Sequence, residues 1–134
     1  MNKSKKERYL MGYAVSFKVK VEGAGKYIAV GNCNAYIPEG AQEILTRATG
    51  LEWKKGTNNG RCIDIMPYIE KGFTALLKHP EQYRQYEVIT EFDNVWLSVT
   101  GVRTFLKDIL NAWFDFCTND AHKGVVKFVT FWIE

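Results

Sequence analysis

At 134 residues, with 46% hydrophobic and 25% charged residues, the chain has the size and composition of one domain with a continuous core. Its net charge of +3 is carried by the first ten residues, where Lys3, Lys5, Lys6 and Arg8 stand against Glu7; from Met11 onward 14 basic and 14 acidic residues balance. These figures exclude a disordered chain, argue against a dedicated basic nucleic-acid domain, and leave no apolar run near the roughly 20 residues of a membrane span.

Residues 1–10 read as a flexible basic tail and residues 11–134 as a single domain. Tyr13, Val15, Phe17, Val19 and Val21 alternate with Ala14, Ser16, Lys18, Lys20 and Glu22, the period-two pattern of a half-buried strand. The turn Gly23-Ala24-Gly25 leads into a second strand from Lys26 to Gly31, which makes an N-terminal β-hairpin. Asn32 to Tyr36 reads as a connection. A helix follows, with Pro38 in its first turn, Ala41, Ile44, Leu45 and Ala48 at helical spacing, and Gly50 as the stop. A short strand is expected over 51–55, then a polar turn from Lys54 to Arg61, where Asn59-Gly60 favours a left-handed backbone.

The second helix is expected to start near Asp64, with Pro67 in its first turn and a stripe of Met66, Ile69, Phe73, Leu76 and Leu77. His79-Pro80 ends it, and a short helical piece carries Tyr83 and Tyr86. Val95 to Val99 reads as a strand, and Thr100 as the N-cap of the strongest helix. In that helix Val102, Phe105, Leu106, Ile109, Leu110, Trp113, Phe116 and Cys117 share one face. Val125 to Ile133, apolar on both faces, reads as a central strand, with a parallel crossover as one way to connect it. The expected fold class is α+β: two or three amphipathic helices on one face of a mostly antiparallel sheet of four or five strands.

The chemistry-bearing residues form no recognised constellation. The Lys54–Arg61 run holds two lysines, an arginine, two glycines and two asparagines, the ingredients of a phosphate cradle, but it has neither P-loop spacing nor the Lys-Ser/Thr ending. Cys33 precedes an expected helix start, where a thiol becomes more acidic, yet nothing in sequence places His79 or His122 beside it as a base. Asp115, Cys117, Asp120 and His122 lack the paired close spacing of a zinc site. Glu87, Glu91 and Asp93 read as solvated acids of a loop.

No catalytic residue, metal or cofactor is therefore expected. Cys33, Cys62 and Cys117, odd in number and widely spaced, read as reduced thiols of a cytoplasmic protein. The expected function is a non-enzymatic protein-binding or regulatory domain, of the kind by which phages and other mobile elements modulate a host protein. Lys54, Lys55, Asn58, Asn59, Arg61, Tyr83 and Tyr86 are its candidate binding residues. Two alternatives stand beside it. One is a single-stranded nucleic-acid binder using aromatics of an open sheet face, with Tyr27, Phe128 and Trp132 among those in question. The other is a small enzyme with a Cys or His centre. No membrane partner is expected.

Overall fold

A computed structural model of the chain describes residues 12–88 and 95–134. The basic tail and the acids Glu91 and Asp93 lie outside the described residues. Among the described residues, four strands and three α-helices make an α+β fold: β1 (Gly12–Val21), β2 (Lys26–Pro38), α1 (Gln42–Thr49), β3 (Thr57–Arg61), α2 (Cys62–Lys78), α3 (Val99–Thr118) and β4 (Thr130–Ile133). The sheet order is β2-β1-β4-β3, and every neighbouring pair is antiparallel.

Alternation in β1 decides which face is covered. Tyr13, Val15 and Phe17 point to the helices and are buried. In β4, Phe131 and Ile133 do the same, paired across to Phe17 and Val15. The core closes around Trp53, fully buried, whose ring meets Tyr13, Phe105 and Phe131 at centroid distances of 6.2, 5.8 and 6.2 Å. A second aromatic column joins Phe17 to Trp113 at 5.4 Å, Trp113 to Phe116 at 5.5 Å and Phe116 to the His122 ring at 4.0 Å. Such pairs add packing specificity to what area burial provides. The long apolar stripe of α3 therefore builds this core: Val102, Phe105, Leu106 and Ile109 are fully buried.

Several local expectations are corrected. Asn32 to Tyr36 is no connection but the second half of β2, because Cys33 faces inward opposite Val15 while Asn32 faces solvent opposite Ser16. Two register shifts, near Ala14 and near Phe17, absorb the irregular pattern that hid this strand. The stretch 51–55 is not a strand; Trp53 is buried there and its carbonyl accepts a hydrogen bond from the Gln42 amide at 3.1 Å. Most of the expected polar turn, Thr57–Arg61, is edge strand β3 with a bulge at Asn59.

Helix α2 starts at Cys62, so Pro67 sits inside it rather than in its first turn, on the solvent side. Leu77 is exposed and falls off the expected stripe. Val95–Leu97 is a 3₁₀ turn, and Ser98, not Thr100, caps α3 by accepting from the Gly101 N–H at 3.2 Å. The C-terminal strand is central but short, since Val126–Phe128 forms another 3₁₀ turn, and it runs antiparallel to both neighbours, so no parallel crossover occurs. Among the described residues no helix is long and apolar enough to cross a membrane.

Candidate binding surface on the open sheet face

The helices cover one face of the sheet, and the strand registers fix what the other face carries. From β1 come Ala14, Ser16, Lys18 and Lys20; from β2, Tyr36, Asn32, Ala29 and Tyr27 opposite them. From β4 come Thr130 and Trp132, opposite Lys18 and Ser16, and from β3 come Arg61 and Asn58, opposite Thr130 and Trp132. Glu134 extends this face, because its backbone bonds reciprocally with Ala14 at 2.8 Å in both directions. Among these described side chains the face is polar, aromatic and cationic, with Ala14 and Ala29 small and Pro38, opposite Gly12, at its margin.

Its centre is an aromatic platform. The Tyr27 and Trp132 rings touch at a centroid distance of 5.3 Å and a tilt of 59°, reaching toward each other over β1 from the two flanking strands. The Trp132 indole N–H donates to the Thr130 hydroxyl at 2.8 Å, and that hydroxyl donates to the Lys18 carbonyl at 3.0 Å. This relay fixes the indole orientation. The Lys18 ammonium lies over the Trp132 ring at 4.6 Å and also pairs with the Glu134 carboxylate. Lys18 holds that carboxyl below its ordinary range. Tyr27 and Tyr36 stay 41% and 47% exposed, too wet for core residues.

Positive charge exceeds negative on this face. Lys18, Lys20 and Arg61 stand against Glu134, with exposed Lys54 and Lys55 in the turn that leads into β3. Arg61 binds Asp64 at 2.9 and 3.5 Å, but both side chains are more than half exposed, so the pair exchanges readily. The Asn58 side-chain oxygen accepts from the Gly60 N–H at 2.8 Å, and its amide group projects from the exposed edge strand.

The structure brings together only part of the sequence-derived site. Asn58 and Arg61 lie on the open face, and Lys54 and Lys55 adjoin it. Asn59 turns the other way and donates to the Glu52 carbonyl at 3.4 Å. Tyr83 and Tyr86 belong to the helix side: both are half-buried against the core, and Arg47 of α1 stacks on Tyr86 at 4.2 Å. Sequence reasoning left Ser16, Lys18, Lys20, Tyr36 and Glu134 out of the site. The alternation of β1 had put Lys18 and Lys20 on its polar side, but only the β1–β4 register shows that Trp132 sits among them.

The other candidate chemistry disperses. Cys33 is buried in mid-strand, far in sequence from any helix N-terminus, which corrects its expected placement. Cys62 is buried at the start of α2, where burial pushes its thiol pKa up, the direction opposite to activation. Asp120 pairs with Lys123 at 3.1 Å and the His122 Nδ1 sits 2.9 Å from the Phe116 carbonyl, so these residues engage neighbours of their own. Among the described residues no group of three or more His, Cys, Asp or Glu side chains gathers as a metal site. No family model, curated protein or solved structure matches the chain.

Proposed function

We propose that the open sheet face binds single-stranded nucleic acid and that the protein is a non-catalytic binding module. The observation that carries this reading is the Tyr27–Trp132 platform set among Lys18, Lys20 and Arg61. Bases stack on aromatic rings irrespective of sequence, and flanking cations follow the phosphates. Duplexes bury their bases and offer nothing for such a platform to stack on. The near-neutral domain is no obstacle, since the local excess of cations decides what this face attracts.

The test is fluorescence anisotropy with labelled 12-residue oligo(U) and oligo(dT), against a duplex of equal length. Single strands are expected to bind and the duplex to compete poorly. Aromatic stacking is worth about 1–3 kcal/mol per base, so Tyr27→Ala should weaken binding roughly 5- to 150-fold while leaving the melting temperature close to wild type. Lys20→Ala should flatten the dependence of log affinity on log salt by about 0.7, one single-strand phosphate contact. Equal binding by wild type and Tyr27→Ala would remove the platform from the account.

A protein partner is the second reading, supported by Phe114, 67% exposed on the solvent side of α3. It predicts a partner retained at high salt after nuclease treatment and released by Phe114→Ala, with Tyr27→Ala neutral.

A further inference from the structure

Ser16 is the one buried side-chain polar group among the described residues that makes no hydrogen bond. It sits at the middle of the open face, opposite Trp132 on one side and Asn32 on the other, yet is only 6% exposed. Beside it Lys18 and Glu134 meet across the face, with the Lys18 ammonium over the Trp132 ring. The Ser16 hydroxyl makes only a weak, poorly aligned contact with the Glu134 carboxylate, the last of the causes that lower its pKa. An orphaned buried hydroxyl is costly and calls for a partner.

Resting on the nucleic-acid reading above, we infer that Lys18 and Ser16 form a subsite for one backbone phosphate, and that the Glu134 carboxylate occupies it when no ligand is bound. The chemistry of the occupant is that of the ligand: an anionic oxygen held by an ammonium beside a hydroxyl donor. A phosphodiester shares one negative charge over two non-bridging oxygens, as the carboxylate does over its two, but it is not tethered to the backbone beside Ala14, and so can place one oxygen on Lys18 and the other on Ser16. Its entry displaces Glu134 to solvent and draws the ammonium off Trp132, freeing that ring face for a base. Glu134 is thus an intramolecular competitor that sets the affinity threshold of the site.

The test compares Glu134→Gln with Glu43→Gln, which removes an equal charge from the solvent side of α1, where Glu43 pairs with Arg47. Binding of labelled oligo(U) should tighten about tenfold in Glu134→Gln, the order of one charge-assisted hydrogen bond regained, and less than twofold in Glu43→Gln. In the ligand-free Glu134→Gln protein, the Trp132 indole proton signal should move toward its position in the wild-type complex. A general charge effect does not produce that shift. If wild type binds oligo(U) but Glu134→Gln binds no more tightly than Glu43→Gln, the subsite inference fails and the nucleic-acid reading stands. If none of the three proteins binds oligo(U), both fail.

Discussion

Thr49 illustrates how much a single side chain can carry when it is fully buried. Its hydroxyl donates to the Leu45 carbonyl at 2.6 Å and accepts from the Leu51 N–H at 3.2 Å and from the Trp53 indole N–H at 3.1 Å. It thereby joins the end of α1 to the irregular segment that delivers Trp53 to the core. Thr49→Val keeps the shape and removes the acceptor, leaving two donors without a partner. At ~1–3 kcal/mol for each unsatisfied buried group, the cost should be about 2–4 kcal/mol in urea unfolding. A cost below about 0.5 kcal/mol would mean that the hydroxyl is dispensable. Nothing in the sequence singles out this threonine, because the residues it serves follow it in a stretch without periodicity.

At the scale of elements, α3 is positioned by its start. Ser98 caps it, the Glu87 carboxylate accepts the Val99 N–H at 2.9 Å, and the 3₁₀ turn Val95–Leu97 lies directly against Gly101. A Cβ on Gly101 would come within 2.2 Å of the Val95 carbonyl oxygen and 2.5 Å of the Trp96 Cα, both backbone atoms. Alanine ordinarily stabilises a helix interior by about 1 kcal/mol over glycine, so the sign is diagnostic. Gly101→Ala should instead destabilise by about 1–3 kcal/mol, the usual cost of overpacking; a gain in stability would show that the turn stands farther from the helix.

The legibility of the elements follows the same physics. The strong periodicities were readable: the alternation from Tyr13 to Val21, the α1 stripe ended by Gly50, and the α3 stripe from Val102 to Phe116. The segments misread are those whose character is set by distant partners. Asn32 to Pro38 is strand because β1 pairs with it across the register shift near Ala14, and Thr57–Arg61 is strand because it closes the edge of β4. Val95 to Leu97 is β-branched and aromatic like a strand, but it turns back on α3. The candidate site was legible only in part for the same reason. Asn58 and Arg61 belong to it, whereas its aromatic centre comes from residues 27 and 132, joined by strand order alone.

Across the whole molecule, charge and burial divide the labour. The helix side is a dry aromatic and aliphatic core holding Cys33 and Cys62, and the opposite face is wet and cationic. Burial, and secondarily the nearby Cys117 thiol, raises the Cys62 pKa above its ordinary value of 9.0. Burial, and secondarily Glu39, likewise raises that of Tyr13. A raised folded-state pKa contributes stability that is complete below the unfolded value and lost as pH climbs through the folded one. Stability should therefore hold from neutral pH to about 8.5 and fall above about 9, with a shallower fall in Cys62→Ala. Parallel alkaline limbs for the two proteins, measured by urea midpoints, would contradict this placement of the thiol.

Binding of single-stranded nucleic acid to the open sheet face can be read by titrating the isotope-labelled protein with unlabelled oligo(U) and following backbone amide and tryptophan indole resonances. Shifts are expected at Ser16, Lys18, Tyr27, Asn58 and the Trp132 indole, with the buried Trp53 indole unmoved. Shifts confined to the exposed side of α3 around Phe114, or none at saturating oligonucleotide, would contradict binding at this face.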